Sequence, residues 1–309
     1  MIGIQAIGRY IPEGRIDNRQ RMTAFEVDEA FLNDKTGMVR VAIKAEDEET
    51  SDLCCRAFAD LQAKTAIRNE DIDCIVVCTQ NPDRQGLPHT SAIVHAKLGL
   101  ADSCAAFDIS LGCSGFVYGL SIIQSFMQVN GFKRGILFTA DPYSAIVDPQ
   151  DKNTSLLFGD AATATLMSHS PIWHIGKCAF GSQGSASSSI QVDGDSRRLT
   201  MNGRAVFSFS ATVVPKNINQ MLSNNQLSVD DVDVFVLHQG SKYIVDTIRS
   251  KLGIAASKVP FMASDYGNTV SSSIPLILGD PALPSSRNIV IAGFGVGLSW
   301  ASTVLFAAP

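Results

Sequence analysis

Hydrophobic residues along the chain follow two patterns. Short continuous apolar runs end the segments AIRNEDIDCIVVCTQ (66–80) and QLSVDDVDVFVLHQG (226–240), and another lies in KRGILFTAD (133–141). Runs of this length predict strands that are buried on both faces of a sheet. The stretches between them carry apolar residues at steps of three to four positions, which indicates helices. Buried strands that alternate with helices predict a layered α/β architecture.

The two halves of the chain also resemble each other. Matching segments have the same order of polar turn and apolar strand: 66–80 with 226–240, 133–141 with 286–294, and 158–167 with 296–306. The start of each half, MIGIQAIGRYIP and IWHIGKCAFGS, is a short alternating strand. The break falls near residues 169–171, so we predict two duplicated α/β halves, residues 1–170 and 171–309.

Length, composition and charge exclude several classes of protein. The 309 residues, 45% of them hydrophobic, suffice for a large core and argue against disorder. The net charge of −5, with dispersed lysines and arginines, argues against a nucleic-acid partner. No run approaches the roughly 18 apolar residues of a membrane span, and the start carries no signal-peptide pattern. We therefore expect a cytoplasmic protein with no membrane partner.

The seven cysteines do not predict a disulfide framework or a metal site. Their number is odd and they are spread over a long chain, so reduced thiols are expected. Cys74 and Cys78 lie in a strand-like run without a second pair nearby, which argues against zinc. We expect no metal and no redox cofactor.

One cysteine has a different setting. Cys113, in DISLGCSGFVYGL (108–120), follows an apolar strand and precedes a helix predicted to begin at Ser114. A sulfur near a helix N-terminus is expected to favour the thiolate, and the free N–H groups there could also stabilise an oxyanion. The alternative is that Cys113 is a small buried hydrophobe. The neighbouring glycines favour presentation of the thiol to a ligand, because they remove bulk around it.

Two further polar residues stand where strands or turns end. His238 follows the strand 232–237, and the carboxyl edge of such strands opens into the crevice where open α/β sheets bind ligands. The duplication would bring the matching edges together, so His238 and Cys113 are expected in one cavity. A buried core histidine remains the alternative. Asn268, in YGNTVSSS, is by itself better explained as a turn residue, because Gly-Asn is among the commonest turn signals.

The glycines of GFGVGLSW (293–300) do not indicate a dinucleotide site. A dinucleotide fingerprint needs a following helix and an acidic residue about 20 positions later. Here a predicted strand follows and the sequence ends at Pro309. We interpret these glycines as allowing close approach of the backbone to a ligand.

Taken together and in order, DISLGCSGF, VLHQGS, YGNTVSSS and GFGVGLSW resemble the β-ketoacyl-acyl-carrier-protein synthase III family of thiolase-fold condensing enzymes. LLFGDAA and MNGRAVFSFS fit the same family. The resemblance spans the whole chain and implies the thiolase fold, in which duplicated halves pack as a five-layered αβαβα sandwich. It also implies a homodimer.

The resemblance implies a catalytic triad of Cys113, His238 and Asn268. Cys113 would take an acyl group from acyl-CoA, with the oxyanion held by the backbone N–H groups of Cys113 and Val296. A malonyl thioester, either malonyl-acyl carrier protein or malonyl-CoA, would then lose carbon dioxide and attack the acyl-cysteine. His238 and Asn268 would hydrogen-bond the malonyl thioester carbonyl. The product would be a 3-oxoacyl thioester that primes fatty-acid-like or polyketide-like synthesis.

The resemblance also implies residues that contact the substrate or CoA. Their positions match those of the family, although several residue types differ; they are Phe31, Lys35, Lys152, Gly203, Phe207, Gly240 and Ser241. Phe31 and Lys35 stand where the family has a tryptophan and an arginine, and Gly240-Ser241 replaces Ala-Asn. Tyr243 stands where the family has an arginine associated with carrier-protein docking. Leu87 matches a residue that closes the acyl pocket of the partner subunit.

Three alternatives within and beyond this family remain. A thiolase is disfavoured, because its second catalytic cysteine belongs where this chain has Val296. An acyltransferase that moves the acyl group to a hydroxyl or an amine, without a new carbon–carbon bond, is a second possibility. A non-catalytic partner of another synthase is a third, and the joint presence of Cys113, His238 and Asn268 argues against it.

Overall fold

The computed structural model describes all 309 residues. The strands are β1 Gly3–Tyr10, β2 Gly14–Asp17, β3 Arg40–Ile43, β4 Cys74–Cys78, β5 Ala105–Ile109, β6 Arg134–Ala140, β7 Ala162–Ser168, β8 Trp173–Ile175, β9 Ala179–Ser182, β10 Ile190–Val192, β11 Leu199–Met201, β12 Val234–Leu237, β13 Asn288–Gly295 and β14 Ser299–Ala307. The α-helices are α1 Met22–Phe25, α2 Thr50–Thr65, α3 Thr90–Leu98, α4 Gly115–Asn130, α5 Lys152–Ser155, α6 Gly203–Asn224, α7 Lys242–Lys251 and α8 Ser273–Leu278. Residues Phe31–Thr36 form a π-helical turn.

The strand pairing repeats between the two halves. In the first half, β4 pairs in parallel with β5 and β6, and β7 pairs antiparallel with β6 and β1. In the second half, β12 pairs in parallel with β13, and β14 pairs antiparallel with β13, β8 and β9. The predicted duplication is therefore confirmed: β4 corresponds to β12, β6 to β13 and β7 to β14.

Helices separate and cover the two sheets. Helices α2 and α3 pack on the outer face of the first sheet, and α6 with α7 covers the second. Helices α4 and α8 lie between the sheets, since each contacts strands of both halves. The sheets also meet at one edge, where Ile4 of β1 pairs with Trp173 of β8. The order helix, sheet, helix, sheet, helix confirms the predicted five-layered sandwich.

The proposed division at residues 170 and 171 falls in the connection between β7 and β8. That each half is a separate domain stays a prediction, because α4 and α8 are shared packing elements. None of the helices combines the length and the apolar character that a bilayer span requires.

The strand ends determine where the site residues stand. Parallel strands β5, β4 and β6 end side by side, and the segment after β5 carries Cys113 to the start of α4. In the second half His238 directly follows β12, the counterpart of β4. The helix predicted to begin at Ser114 is confirmed to within one residue, since α4 begins at Gly115. Helix α7 begins after Ser241, and α8 follows a single 3-10 turn at residues 270–272.

Candidate active site

A single cavity of about 350 Å³ contains the predicted triad. Cys113, His238 and Asn268 all line it, although they come from three distant parts of the chain. The cavity is also lined by every residue predicted to contact substrate or CoA: Phe31, Lys35, Lys152, Gly203, Phe207, Gly240 and Ser241. The tertiary structure therefore brings together the residues that the resemblance selected. Their chemical roles remain predictions.

Cys113 is a buried thiol that faces two backbone donors. Its side chain stands just before the N-terminus of α4, and the residue is 7% exposed. Burial raises the pKa of Cys113 to about 12, and the carboxylate of Asp141 adds to the rise. The backbone N–H groups of Val296 and of Cys113 itself act to lower the pKa of the sulfur, but burial outweighs them. The expectation of a resting thiolate was therefore wrong, because desolvation exceeds the effect of the helix N-terminus.

Two glycines of the C-terminal motif make room for the nucleophile. A Cβ on Gly295 would lie 2.7 Å from Cys113 Sγ, and one on Gly293 would lie 2.5 Å from the Cys113 carbonyl oxygen. Both positions belong to β13, so this strand passes directly beside the cysteine. These glycines thus let the backbone of β13 pack closely against the nucleophile. Their predicted role in the close approach of the backbone to a ligand stays a prediction.

His238 is buried as a neutral imidazole. Burial lowers its pKa to about 3. Its Nδ1 lies 2.7 Å from the Ser273 hydroxyl oxygen, and its ring meets the ring of Phe294 edge to face, with the centroids 5.5 Å apart. The backbone of Val270 also contacts the imidazole and acts on its pKa in the opposite direction to burial. With Nδ1 bonded to Ser273, Nε2 is the ring nitrogen left for a ligand.

Asn268 is held by its own backbone neighbours. Its N–H donates to the Leu157 carbonyl at 2.7 Å, and its side-chain Oδ1 accepts from the Val270 N–H at 2.9 Å. The side-chain Nδ2 forms no hydrogen bond within the chain, although the residue is only 4% exposed. The turn at Asn268 therefore fixes the amide so that its nitrogen is the free donor in the cavity.

The mouth of the cavity carries an aromatic and cationic stack that differs from the family pattern. The Tyr243 ring stacks on Phe207, with centroids 5.0 Å apart and an interplanar angle of 16°. The Lys35 ammonium lies 3.9 Å from the centre of the Tyr243 ring. The Ser241 hydroxyl oxygen accepts from the Ile244 N–H at 3.3 Å and so caps α7. The mouth therefore combines stacking surface with positive charge.

Leu87 lies apart from this cavity. It is 87% exposed and does not line the pocket of its own chain. Val296 is not part of the lining either, but its backbone N–H acts on the thiol of Cys113 and lowers its pKa. Leu87 could reach an acyl pocket only from another subunit, as the resemblance implied.

Comparison with known proteins agrees with this geometry. The family model described as 3-Oxoacyl-[acyl-carrier-protein (ACP)] synthase III matches residues 107–184, and the model of its C-terminal region matches residues 222–306. The β-ketoacyl-[acyl-carrier-protein] synthase III of Streptococcus gordonii is 31% identical over 98% of this chain and 98% of its own length. The chain belongs to this family.

Solved structures of synthase III relatives share the whole architecture. The Thermus thermophilus β-ketoacyl-[acyl-carrier-protein] synthase III superposes with a TM-score of 0.91 at 29% identity, covering 99% of each chain. The priming β-ketosynthase of the R1128 polyketide pathway has a TM-score of 0.90 at 27% identity, covering 100% of this chain and 97% of its own. The thiolase fold is confirmed, and the chain is an acyltransferase of the synthase III type.

Sequence reasoning did not single out several residues that shape this synthase III site. Ser273 holds the imidazole of His238, and Asp141 accepts hydrogen bonds from the Ser271 hydroxyl and the Gln80 N–H. Burial raises the pKa of Asp141 to about 6. Ser273 lies within the YGNTVSSS motif, and Asp141 ends a predicted strand. Their positions in the sequence could therefore have indicated that they lie near the site, although their residue types did not.

Proposed function

We propose that this protein is a condensing enzyme that forms a 3-oxoacyl thioester from an acyl-CoA and a malonyl thioester. The observation that carries the proposal is the shared cavity: a thiol beneath two backbone N–H donors faces an imidazole and a carboxamide. A nucleophile with an oxyanion site and two neutral donors matches the needs of acyl transfer followed by decarboxylation.

In the first stage, Cys113 takes the acyl group. The sulfur attacks the thioester carbonyl of acyl-CoA, and the N–H groups of Cys113 and Val296 stabilise the tetrahedral oxyanion. Collapse breaks the bond to the CoA sulfur, and the thiol proton of Cys113 leaves with CoA as its free thiol. Because burial raises the pKa of Cys113, the sulfur starts this stage as a thiol, and we propose that its proton moves as the sulfur attacks.

In the second stage, a malonyl thioester replaces CoA. Its terminal carboxylate leaves as carbon dioxide, and the electron pair moves into an enolate whose oxygen accepts hydrogen bonds from His238 Nε2 and Asn268 Nδ2. The enolate carbon attacks the acyl-cysteine carbonyl, and the Cys113 thiolate departs and takes up a proton. Because burial keeps the pKa of His238 near 3, both donors stay neutral.

The mouth of the cavity suits a thioester carried on a phosphorylated arm. Lys35, Lys152 and Arg204 supply positive charge there, and Phe207 and Tyr243 supply aromatic surface. We propose CoA thioesters as acyl donors and malonyl-acyl carrier protein or malonyl-CoA as the second substrate. No further cofactor is needed for these steps, because every bond change uses the thiol and the substrates.

We also propose a cytoplasmic homodimer. Strand β5 is an edge strand, since it pairs only with β4, and its residues are all partly exposed. Leu87 is exposed on the same half, where a partner subunit could use it to close an acyl pocket. An unpaired strand edge beside exposed apolar surface is typical of a subunit interface.

Intact-mass spectrometry followed by carbon dioxide measurement tests the proposed reaction. Acyl-CoA should add one acyl mass to the wild-type protein and none to Cys113→Ala. The half-buried thiol of Cys178 provides the matched control, so Cys178→Ala should still be acylated. Malonyl-CoA or malonyl-acyl carrier protein should then remove the adduct and release carbon dioxide.

Each failure of this experiment has a distinct meaning. Loss of the adduct to an added alcohol or amine, without carbon dioxide release, would favour the acyltransferase that forms no carbon–carbon bond. Absence of any adduct on Cys113 would contradict an enzyme and favour a non-catalytic partner of another synthase.

A further inference from the structure

The turn that carries Asn268 contains a strained residue. Val270 has a φ of +53°, in the left-handed region that β-branched residues rarely adopt. Its side chain is fully buried and belongs to the same apolar cluster as Cys113. A backbone conformation of this kind persists only where the surrounding structure enforces it, and such conformations are concentrated at functional sites. The contacts on either side of Val270 must therefore hold it.

These contacts tie both ends of the turn to the first half of the chain. Before Val270, the Asn268 carbonyl accepts from the Gly159 N–H at 3.0 Å. After it, the Ser271 hydroxyl and the Ser271 N–H both donate to Oδ2 of Asp141, the N–H at 3.3 Å. A change of φ at Val270 would require one of these two attachments to give way.

Asp141 is a fixed anchor for the turn. It directly follows β6 and is fully buried. Its other carboxylate oxygen, Oδ1, accepts from the Gln80 N–H at 2.7 Å, so both oxygens are engaged. Hydrogen bonds to an ionised carboxylate are stronger than those between neutral groups. Asp141 does not line the cavity, so it can act on the geometry there only through the residues that it holds.

The conformation of Val270 determines how the Asn268 amide is oriented. The Val270 N–H donates to Asn268 Oδ1 at 2.9 Å, which leaves Nδ2 as the free donor of the amide. The chain after Ser271 continues into the buried helix α8 and cannot swing away. A relaxed φ at Val270 would therefore rotate the peptide group that carries this N–H, and the amide would lose the bond that fixes its orientation.

We propose that Asp141 is a positioning residue for the second stage of the reaction. Through Ser271 it keeps Val270 in the left-handed conformation. That conformation in turn directs Asn268 Nδ2 towards the carbonyl of the malonyl thioester. The inference rests on the proposed function, in which Asn268 acts on the malonyl thioester and not on acyl-CoA. Loss of the anchor should therefore slow condensation and leave acylation of Cys113 unchanged.

Ser271→Ala tests the anchor by removing the hydroxyl that bonds Asp141. Carbon dioxide release from the malonyl thioester should slow by about tenfold or more, because a misaligned donor loses much of its effect, whereas acylation of Cys113 should keep its rate. Ser302→Ala is the matched control, since Ser302 is equally buried and its hydroxyl donates to Asn217 Oδ1 at 2.7 Å. It should leave both rates unchanged. Equal slowing of the two stages in Ser271→Ala, or no slowing at all, would overturn the proposal.

Asp141→Asn changes the other partner of the same bond. An amide has one acceptor oxygen instead of two, so it cannot accept from both Ser271 and Gln80, and carbon dioxide release should slow here too. Because both changes act through one bond, the double variant Asp141→Asn/Ser271→Ala should be about as slow as the slower single variant. Losses that multiply in the double variant would mean that Asp141 and Ser271 act independently, which contradicts the proposal.

Glycine at position 270 tests whether the anchor opposes backbone strain. Glycine adopts a positive φ without steric cost, so in a Val270→Gly background the loss caused by Ser271→Ala should shrink to about threefold or less. Val270→Ala removes most of the same side chain but keeps the cost of a positive φ, and in that background the loss should stay at about tenfold or more. Equal losses in the two backgrounds would contradict the role of the strained residue.

Amide hydrogen exchange examines the turn without any enzymatic reaction. NMR of protein with isotope-labelled valine follows the Val270 N–H, which is bonded to Asn268 Oδ1. It should exchange slowly in the wild type and in Ser302→Ala, and about tenfold faster or more in Ser271→Ala. If exchange changes in this way while the wild type releases no carbon dioxide, the proposed function fails and the anchoring of the turn stands. Equal exchange in Ser271→Ala and the wild type contradicts the anchor.

Discussion

The imidazole of His238 and the hydroxyl of Ser273 form a buried pair, with Nδ1 and Oγ 2.7 Å apart. Ser273 opens α8, whereas His238 directly follows β12, so the pair joins the turn that carries Asn268 to the second sheet. When the hydroxyl donates to Nδ1, the ring proton is on Nε2, which is the form that a hydrogen-bond donor to a thioester carbonyl needs. Ser273 is therefore a positioning residue.

Ser273→Ala should slow condensation more than acylation. Without a partner for Nδ1, the imidazole loses its fixed tautomer, and we expect condensation to fall by about ten- to hundredfold, less than loss of the donor itself. Acylation of Cys113 should change little. The rate of Cys113 acylation and the rate of carbon dioxide release, measured on the same preparation, separate the two steps. Ser273→Thr, which keeps a hydroxyl, should restore much of the condensation rate. Equal loss of both steps would contradict this role.

Asn268→Asp should abolish decarboxylation while leaving the fold intact. The Oδ1 atom that accepts from the Val270 N–H is retained, but the donor Nδ2 becomes a second acceptor oxygen. An acceptor facing the enolate oxygen is repulsive, so we expect a loss of about a hundred- to a thousandfold or more in carbon dioxide release. Circular dichroism and Cys113 acylation are the controls. Carbon dioxide release at the wild-type rate would remove Asn268 from the mechanism.

Gly295→Ala should block acylation by crowding the nucleophile. The added methyl would stand 2.7 Å from Cys113 Sγ and 2.9 Å from its Cβ, closer than van der Waals contact allows. A displaced sulfur loses its alignment with the two N–H donors, and we expect acylation to slow by about a hundredfold or more. Gly184→Ala, where a Cβ would meet nothing within 4 Å, is the matched control. Normal acylation of Gly295→Ala would show that the sulfur moves freely.

Asp141 should make stability depend on pH. Its folded pKa is raised from 3.8 to about 6 by burial, so the folded state holds the proton more tightly than the unfolded state. The stability linked to this group is fully present below about pH 4 and is lost as the pH rises through 6, by about 3 kcal/mol in total.

Asp141→Asn tests this dependence through the difference from wild type. The free energy of unfolding of the variant relative to wild type should become more favourable by up to about 3 kcal/mol between pH 4 and pH 7. Urea denaturation at each pH measures the difference, and the exposed Asp102→Asn controls for the loss of one carboxyl. A difference that does not vary with pH would mean that Asp141 titrates alike in the folded and unfolded states.

The sequence by itself determined the elements, the duplication and the candidate residues. Continuous apolar runs were sufficient to predict β4, β6, β12 and β13. Strands that are buried on both faces of a sheet are apolar throughout and do not alternate between apolar and polar residues. The repeated order of turns and strands was sufficient to predict that the two halves correspond to each other strand by strand. Ordered motifs selected Cys113, His238 and Asn268 together through the family resemblance that they carry, whereas Asn268 by itself was better explained as a turn residue.

Only the tertiary structure decided how these residues behave. Cys113 is a thiol and not the expected thiolate, because the protonation state depends on every neighbour that desolvates the sulfur and not on the helix start alone. The bond from Ser273 to His238, the Lys35–Tyr243–Phe207 stack and the hydrogen bond from Tyr143 to Gln80 join residues that lie 35 or more positions apart in the chain. Side-chain contacts of that range arise from packing, which local patterns of hydrophobicity do not encode.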